Sequence, residues 1–184
     1  MRNFIIADKR DITRAGLISY IKEIDSDSNI VEVKGYGSLL EELRREPSSV
    51  VVVDYSLFDF SSLNHMLNIK SGAKESVWLI FSDEPGEHFL RQLLIMDSTL
   101  SVVLKHNSKE EIVNALTNVI VGELYLCDYA ESVINSELHK SKSRDYVNLT
   151  ASEKNVLREI ALGKTTKEIA VEMNLSFHTV NTHR

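Results

Sequence analysis

The sequence predicts an α/β protein, a doubly wound five-stranded parallel sheet followed by a small all-α domain. Two observations lead to this prediction. Over the first 120 residues, short apolar runs rich in β-branched side chains alternate with segments of helical periodicity, and after residue 149 only short helical patterns remain. Alternating strands and helices are typical of a parallel sheet with right-handed crossovers and helices on both faces.

Five short apolar runs predict the strands. They show no regular polar alternation, which indicates strands buried on both faces of the sheet. The runs lie at residues 4–7, 30–31 with 33, 50–53, 77–81 and 102–104.

Helical periodicity predicts a helix after each strand. Asp11 is placed to cap the first helix and Pro47 to end the second. In the fifth, apolar residues from Ile112 follow the i, i+3, i+4, i+7 pattern of one helix face. A further helix is expected at about 128–138, and the polar residues 139–145 are expected to form a linker.

Composition excludes several classes of protein. No apolar run approaches the ~18 residues of a membrane span, and Asp8 follows the first apolar run too closely for a secretory signal. The one cysteine, Cys127, cannot form an internal disulfide, which indicates a cytoplasmic location. Residues 1–140 carry 14 Lys and Arg against 22 Asp and Glu, whereas residues 141–184 carry 7 against 5. Contact with nucleic acid is therefore expected only at the C-terminal end.

Polar side chains follow four of the predicted strands: Asp8, Asp54, Ser82 and Lys105. In a doubly wound sheet the carboxyl ends of the strands meet at one edge, where ligands bind. Two carboxylates, a hydroxyl and an ammonium at this edge suit a carboxylate nucleophile, a divalent cation and the oxygens of a phosphoryl group.

The C-terminal segment has the pattern of a helix-turn-helix. Thr150 and Glu153 have the spacing of a capping box, and Gly163 is placed to end the first helix. Residues 164–173 predict a second helix, and Ser176 is placed to cap a third. The last helix of such a motif enters the major groove of DNA.

These patterns resemble a known family. Residues 2–121 resemble the receiver domain of a bacterial response regulator, which has a flavodoxin-like fold. The motifs Leu-Thr-x-x-Glu, Lys-Glu-Ile-Ala and Thr-Val-x-x-His within residues 149–184 resemble the LuxR-type helix-turn-helix. The whole chain is thus similar to the NarL/FixJ class. The predicted domains are a receiver at 1–121, an extra helix and linker at 122–148, and a DNA-binding domain at 149–184.

The resemblance implies roles for the strand-end residues. Asp54 is the implied phosphoacceptor. Asp8, Asp54 and the backbone carbonyl of Ser56 are the implied ligands of Mg²⁺. Ser82 matches the hydroxyl that reorients on phosphorylation, and Lys105 matches the lysine that binds the phosphoryl group.

The chain departs from the family at three positions. Lys9 stands where the family has a second acid, so a metal ligand is missing and Mg²⁺ binding is expected to be weak. Two positions of Lys9 are left open: its ammonium turns to solvent, or it pairs with Asp8 or Asp54 and partly replaces the metal. Asp83 replaces a small residue and is expected to repel incoming phosphate. Val102 replaces the aromatic residue that moves when the family's receivers switch.

The resemblance also implies contacts with DNA. Asn181 and Thr182 are expected to face bases, and Val180 to lie in the core. The side chains expected near phosphates are Lys164, Thr165, Thr179 and Arg184. The third helix, at 177–184, is shorter than the family's recognition helix. The DNA-binding domain is therefore expected to be truncated, and this 184-residue chain to bind DNA weakly.

The sequence thus predicts a sequence-specific, DNA-binding transcriptional regulator with weakened or absent phosphorylation control. The expected partners are double-stranded DNA, a sensor histidine kinase and a second copy of the chain, with no membrane. Two alternatives are kept: a phosphorylation-independent receiver that serves dimerisation, and a phosphatase of the haloacid-dehalogenase type. That enzyme class needs an acid two residues after its nucleophile, where this chain has Ser56. The chain is therefore not expected to be an enzyme.

Overall fold

The computed structural model describes residues 2–56, 58–83, 85–140, 151–161, 163–173, 175 and 180. The chain divides into two compact units, Met1–His139 and Lys140–Arg184. The first unit holds the sheet, and the second holds short helices. In the part of the chain described, no helix is long and apolar enough to cross a membrane.

All five predicted strands are present in one parallel sheet. They are β1 (Asn3–Ala7), β2 (Asn29–Glu32), β3 (Val50–Val53), β4 (Val77–Ser82) and β5 (Leu100–Leu104). Their order is β2-β1-β3-β4-β5, so it reverses between β1 and β3. Every residue of β3 and β5 is buried, because helices cover both faces. The predicted fold class is confirmed.

Helices pack on both faces of the sheet. They are α1 (Asp11–Ile24), α2 (Tyr36–Arg45), α3 (Leu63–Gly72), α4 (Glu87–Met96) and α5 (Lys109–Val121). On one face, α1 and α5 bury Leu17 and Leu116 in a shared apolar cluster. On the other, α2, α3 and α4 bury Leu39, Met66 and Leu90.

The ends of α5 and α1 are capped in different ways. α5 begins with a capping box at Ser108 and ends at Gly122, whose φ of 83° is left-handed and favours glycine. The prediction that Asp11 caps α1 is wrong. Arg10 occupies the N-cap, and Asp11 is the first helical residue. The Asp11 carboxylate instead pairs with Arg14, one turn further along.

After α5, the chain runs along the free edge of β5. The backbone N–H of Val102 donates to the carbonyl of Tyr125 over 2.8 Å, and the N–H of Cys127 donates to the carbonyl of Val102 over 3.0 Å. The predicted helix follows as α6 (Asp128–Lys140), which buries Val133 in the cluster formed by α2, α3 and α4. The segment after residue 122 therefore packs within the first unit. Residues 139 and 140, predicted to begin the linker, belong instead to α6, and the remaining linker residues 141–145 lie outside the described residues.

The second unit contains two described helices and a small apolar core. The helices are α7 (Ala151–Ala161) and α8 (Thr166–Glu172). Gly163, between them, has a left-handed φ of 85°. Val156, Ile169, Ala170 and Val180 are buried together, and Val180 is thus a core residue as expected. Thr150 of the predicted capping box and the rest of the predicted third helix lie outside the described residues.

Candidate functional site

Four polar side chains meet at the carboxyl edge of the sheet. Asp8 follows β1 and Asp54 follows β3, and these strands are neighbours where the strand order reverses. Ser82 ends β4 and Lys105 follows β5, and both side chains contact Asp54. The structure therefore brings these residues together at the switch point, where doubly wound sheets bind ligands.

The carboxylate of Asp54 is the centre of this site and is fully buried. Its Oδ1 accepts hydrogen bonds from the backbone N–H and the hydroxyl of Ser56, over 2.9 and 2.6 Å. The hydroxyl of Ser82 donates to the same oxygen over 2.9 Å. Oδ2 accepts from the ammonium of Lys105 over 2.5 Å. Three donors thus converge on Oδ1, and the ammonium of Lys105 is held against Oδ2.

Lys105 offsets part of the negative charge of the site. Its Nζ lies 2.5 Å from Oδ2 of Asp54 and 2.6 Å from Oδ2 of Asp8, and its side chain is only 8% exposed. Burial raises the pKa of Asp54, but the hydrogen bonds from Lys105, Ser56 and Ser82 outweigh burial and hold this pKa below its ordinary value. Asp54 is therefore ionised, as a carboxylate nucleophile must be.

Asp8 supplies a second buried carboxylate. Its Oδ1 accepts a hydrogen bond from the backbone N–H of Arg10 over 2.7 Å. Among the residues that the structure describes, its Oδ2 has no hydrogen-bond donor and faces only the charge of Lys105. Two converging carboxylates with such an oxygen fit a divalent cation, which prefers oxygen ligands. The described residues contain no cluster of three acidic, histidine or cysteine ligands.

Lys9 turns away from both buried carboxylates. Its ammonium pairs with Asp59, between β3 and α3, and both side chains are about half exposed. The expectation that Lys9 pairs with Asp8 or Asp54 is therefore wrong. Lys105 already contacts both buried carboxylates, and an exposed pair leaves both ions partly hydrated, whereas burial of Lys9 would remove its hydration. A Cβ on Gly35 would lie 2.9 Å from Oδ2 of Asp59, so the glycine leaves room for this carboxylate.

Asp83 is paired as well. The guanidinium of Arg10 donates to its Oδ2 over 2.7 Å, with both side chains about half exposed. The negative charge of Asp83 at the rim of the site is thus partly balanced. We call the pairs Lys9–Asp59 and Arg10–Asp83 the rim pairs. They connect the loop after β1 to the loops after β3 and β4, around the site.

Sequence reasoning missed Arg10 and Asp59. Lys9 and Asp59 are 50 residues apart in the chain, and Arg10 and Asp83 are 73 residues apart. No periodic pattern relates the members of either pair. The adjacent cations Lys9 and Arg10 were the available signal. They mark a basic loop at the predicted site but do not indicate which acids face it.

The structure describes two of the residues predicted to contact DNA, Lys164 and Thr165. Both interact with residues of α8. The carboxylates of Glu159 and Glu172 lie 2.6 and 2.5 Å from the ammonium of Lys164 and hold its pKa above the ordinary value. The hydroxyl of Thr165 accepts from the backbone N–H of Glu168 in a capping box. A phosphate contact by Lys164 must therefore compete with two carboxylates. The other candidates, Thr179, Asn181, Thr182 and Arg184, lie outside the described residues.

Comparison with known proteins identifies the second unit and extends over the whole chain. Residues 147–184 match the bacterial regulatory proteins of the luxR family. The response regulator UvrY of Escherichia coli is 23% identical, in a match that covers 100% of this chain and 85% of UvrY. The nitrate/nitrite response regulator protein homolog of Haemophilus influenzae is 23% identical and is matched over 97% of this chain and 85% of its own length.

Solved structures show the same fold. RcsB of Salmonella typhimurium superposes with a TM-score of 0.72 at 21% identity, covering 100% of this chain and 89% of that one. A second structure, of RcsB bound to promoter rprA in the presence of phosphomimetic BeF3⁻, has a TM-score of 0.68 at 23% identity and covers 100% and 88%. Residues 147–184 therefore match the luxR family of bacterial regulatory proteins, and the chain as a whole is similar in sequence to response regulators and shares its fold with RcsB.

Proposed function

We propose that this chain is a response regulator that controls transcription by binding double-stranded DNA as a homodimer, and that phosphorylation of Asp54 controls it only weakly. The observation that carries the proposal is the presence of two parts in one chain: the buried site of Asp54, Ser82 and Lys105, and the luxR-family segment. RcsB bound to a promoter in the presence of BeF3⁻ supports this combination. A regulator of this kind acts in the cytoplasm, with a sensor histidine kinase as its phosphoryl donor.

The proposed reaction transfers a phosphoryl group to Asp54. An oxygen of Asp54 forms a bond to phosphorus while the bond from phosphorus to the donor breaks. Lys105 then pairs with a phosphoryl oxygen instead of a carboxylate, and the Ser82 hydroxyl turns from Asp54 to a second phosphoryl oxygen. Asp8, Asp54 and the carbonyl of Ser56 would hold a divalent cation that neutralises part of the phosphoryl charge.

Three features support weak control by phosphorylation. Three donors converge on Oδ1 of Asp54 and Lys105 donates to Oδ2, and this reduces the nucleophilicity of both oxygens. A lysine stands at position 9, where a third acidic ligand would bind the cation. The rim pairs hold three loops together around a fully buried carboxylate.

Phosphorylation from a small donor should be slow and incomplete. The protein would be incubated with acetyl phosphate and Mg²⁺ and its intact mass recorded over time. Lys9→Asp restores a carboxylate and removes one rim pair, so it should raise Mg²⁺ affinity about tenfold and speed the reaction, because ligand charge tunes cation affinity. Lys109→Gln is the control, since Lys109 pairs with Glu23 on the exposed surface. Rapid, complete addition to the wild type would contradict weak control, and addition to Asp54→Asn would contradict Asp54 as acceptor.

Binding to DNA tests the other half of the proposal. The protein should bind an inverted repeat selected from random duplexes, and its affinity should fall linearly with salt on a logarithmic scale because phosphate contacts release counterions. Asn181→Ala should cost about 1–3 kcal/mol and relax selection at one base pair. Fluorescence anisotropy measures both. The absence of duplex binding at low salt would exclude this function.

A phosphorylation-independent dimerisation receiver remains the second candidate. The ammonium of Lys105 favours it, because it already offsets part of the negative charge of Asp8 and Asp54 in the resting site. Asp54→Asn distinguishes the two: unchanged dimerisation and DNA binding, with and without phosphoryl donor, would support the second candidate. Neither of these two candidates is expected to hydrolyse generic aryl phosphates.

A further inference from the structure

The position on β5 that carries the moving aromatic residue in similar receivers is closed in this chain. The side chain of Val102 is fully buried. Its backbone N–H and carbonyl both bond to the segment that follows α5, at Tyr125 and Cys127. Val102 has no ring that could move, so we look for another residue through which a change at Asp54 would reach the rest of the chain.

Tyr129 makes the required contact from α6. Its hydroxyl donates to the carbonyl of Pro85, in the loop between β4 and α4, over 3.1 Å. Pro85 lies three residues after Ser82, whose hydroxyl donates to Asp54. The path from the buried carboxylate to α6 therefore consists of one side-chain hydrogen bond, a short loop and a second hydrogen bond.

The loop has room to move on both sides. One cavity of about 270 Å³ is lined by Tyr55, Ser56, Ser82, Asp83, Pro85, Gly86 and Phe89. A second, also of about 270 Å³, is lined by Pro85, Gly86, Leu104, His106 and Tyr129. Pro85 and Gly86 border both cavities, so a shift of this loop meets less resistance than a shift in a close-packed core would.

α6 is fixed to the first unit by apolar contacts. Cys127, Ala130 and Val133 are buried in the same cluster as Leu90 and Val102, and the ring of Tyr129 packs against this cluster. The helix continues to Lys140, the residue at which the second unit begins. Loss of its polar contact with the loop would therefore act on the helix that leads into the DNA-binding segment.

We propose that Tyr129 is a positioning residue that couples the loop after Ser82 to α6, taking over the signalling task that Val102 cannot perform. The resting state keeps the hydrogen bond from Tyr129 to Pro85 and holds α6 against α4 and β5. When Ser82 turns from Asp54 toward a phosphoryl group, the loop shifts, this hydrogen bond breaks and α6 is loosened. The step triggered by phosphorylation rests on the proposed function, whereas the hydrogen bond from Tyr129 to Pro85 in the resting state does not.

Hydrogen exchange of the resting full chain, followed by mass spectrometry, tests the contact. Tyr129→Phe removes only the hydroxyl and should speed exchange at residues 86–90 and 128–135 about three- to tenfold, the effect of one lost hydrogen bond on local opening. Tyr125→Phe is the matched control, because Tyr125 bonds to β5 through its backbone. Unchanged exchange in Tyr129→Phe, or an equal change in Tyr125→Phe, would overturn the proposal.

Beryllofluoride with Mg²⁺ tests the coupling in the same assay. In the wild type, exchange should change at residues 82–90 and also at 128–135, and in Tyr129→Phe only at 82–90. Two outcomes refute the coupling. In the first, exchange in the wild type changes at residues 82–90 but not at 128–135. In the second, exchange at 128–135 changes equally in the wild type and in Tyr129→Phe. If exchange at residues 82–90 does not change, the result contradicts the phosphoryl site. The comparison of the resting wild type with resting Tyr129→Phe then decides the role of Tyr129 by itself.

Discussion

Lys105→Met should lower the free energy of unfolding of the first unit by about 3–5 kcal/mol at neutral pH without divalent cations, the cost of leaving buried charges without a partner. Methionine keeps most of the side-chain volume but removes the ammonium that lies 2.5 and 2.6 Å from Asp54 and Asp8. The two buried carboxylates would then face each other uncompensated. Urea denaturation followed by Trp78 fluorescence measures the loss, because this single tryptophan is fully buried in the first unit.

Two further variants establish that charge is the cause. Asp54→Asn in the Lys105→Met background removes one of the uncompensated charges and should restore much of the lost stability. Lys109→Met is the control, since Lys109 pairs with Glu23 while both side chains are more than half exposed, and such pairs contribute about 0.2–1 kcal/mol. A loss in Lys105→Met no larger than in Lys109→Met would show that Lys105 does not neutralise the site in solution.

Ile169→Ala should unfold the second unit and abolish binding to DNA while the first unit stays folded. Ile169 is fully buried with Val156, Ala170 and Val180, and removal of a buried Ile side chain to Ala costs about 2–5 kcal/mol. Few other buried side chains are available in this small core to compensate. The loss therefore approaches the whole stability that such a short unit can have.

The two units can be followed separately in one sample. Circular dichroism at the helix band and hydrogen exchange at residues 151–172 follow the second unit, while Trp78 fluorescence follows the first. Val171→Ala is the matched control, because Val171 lies two residues after Ile169 in α8 and is 83% exposed. It should change stability by less than about 0.5 kcal/mol. Retention of DNA binding in Ile169→Ala would mean that this core does not support the DNA-binding surface.

The pattern of apolar residues was enough to predict every strand and the helix after it. Runs such as 50–53 are too short and too uniformly apolar for a surface helix, and burial on both faces of a parallel sheet explains them. The strand-end polar residues could also be predicted, because parallel strands place their carboxyl ends at one edge. The predicted cap at Asp11 failed because a cation one turn away competes for the same carboxylate.

The rim pairs and the contact of Tyr129 with Pro85 had no counterpart in the predictions. Lys9 illustrates the reason. Its replacement of an acid was visible in the sequence, but its partner depended on which acidic residue the neighbouring loops bring within reach and on the charge already supplied by Lys105. Contacts between distant loops follow from chain geometry rather than from local periodicity.

Local patterns in the sequence are sufficient to predict the parallel sheet, the position of Asp54 at its switch point and the LuxR-type motif at the C-terminal end. Each of these depends on local periodicity or on short motifs, which act over a few residues. Other features depend on the folded chain: Lys105 contacts both Asp8 and Asp54, Lys9 pairs with Asp59, residues 125–127 pair with the edge of β5, and α6 reaches the loop after Ser82. These arrangements join residues far apart in the chain, and competition among charges and apolar surfaces that folding brings together selects them.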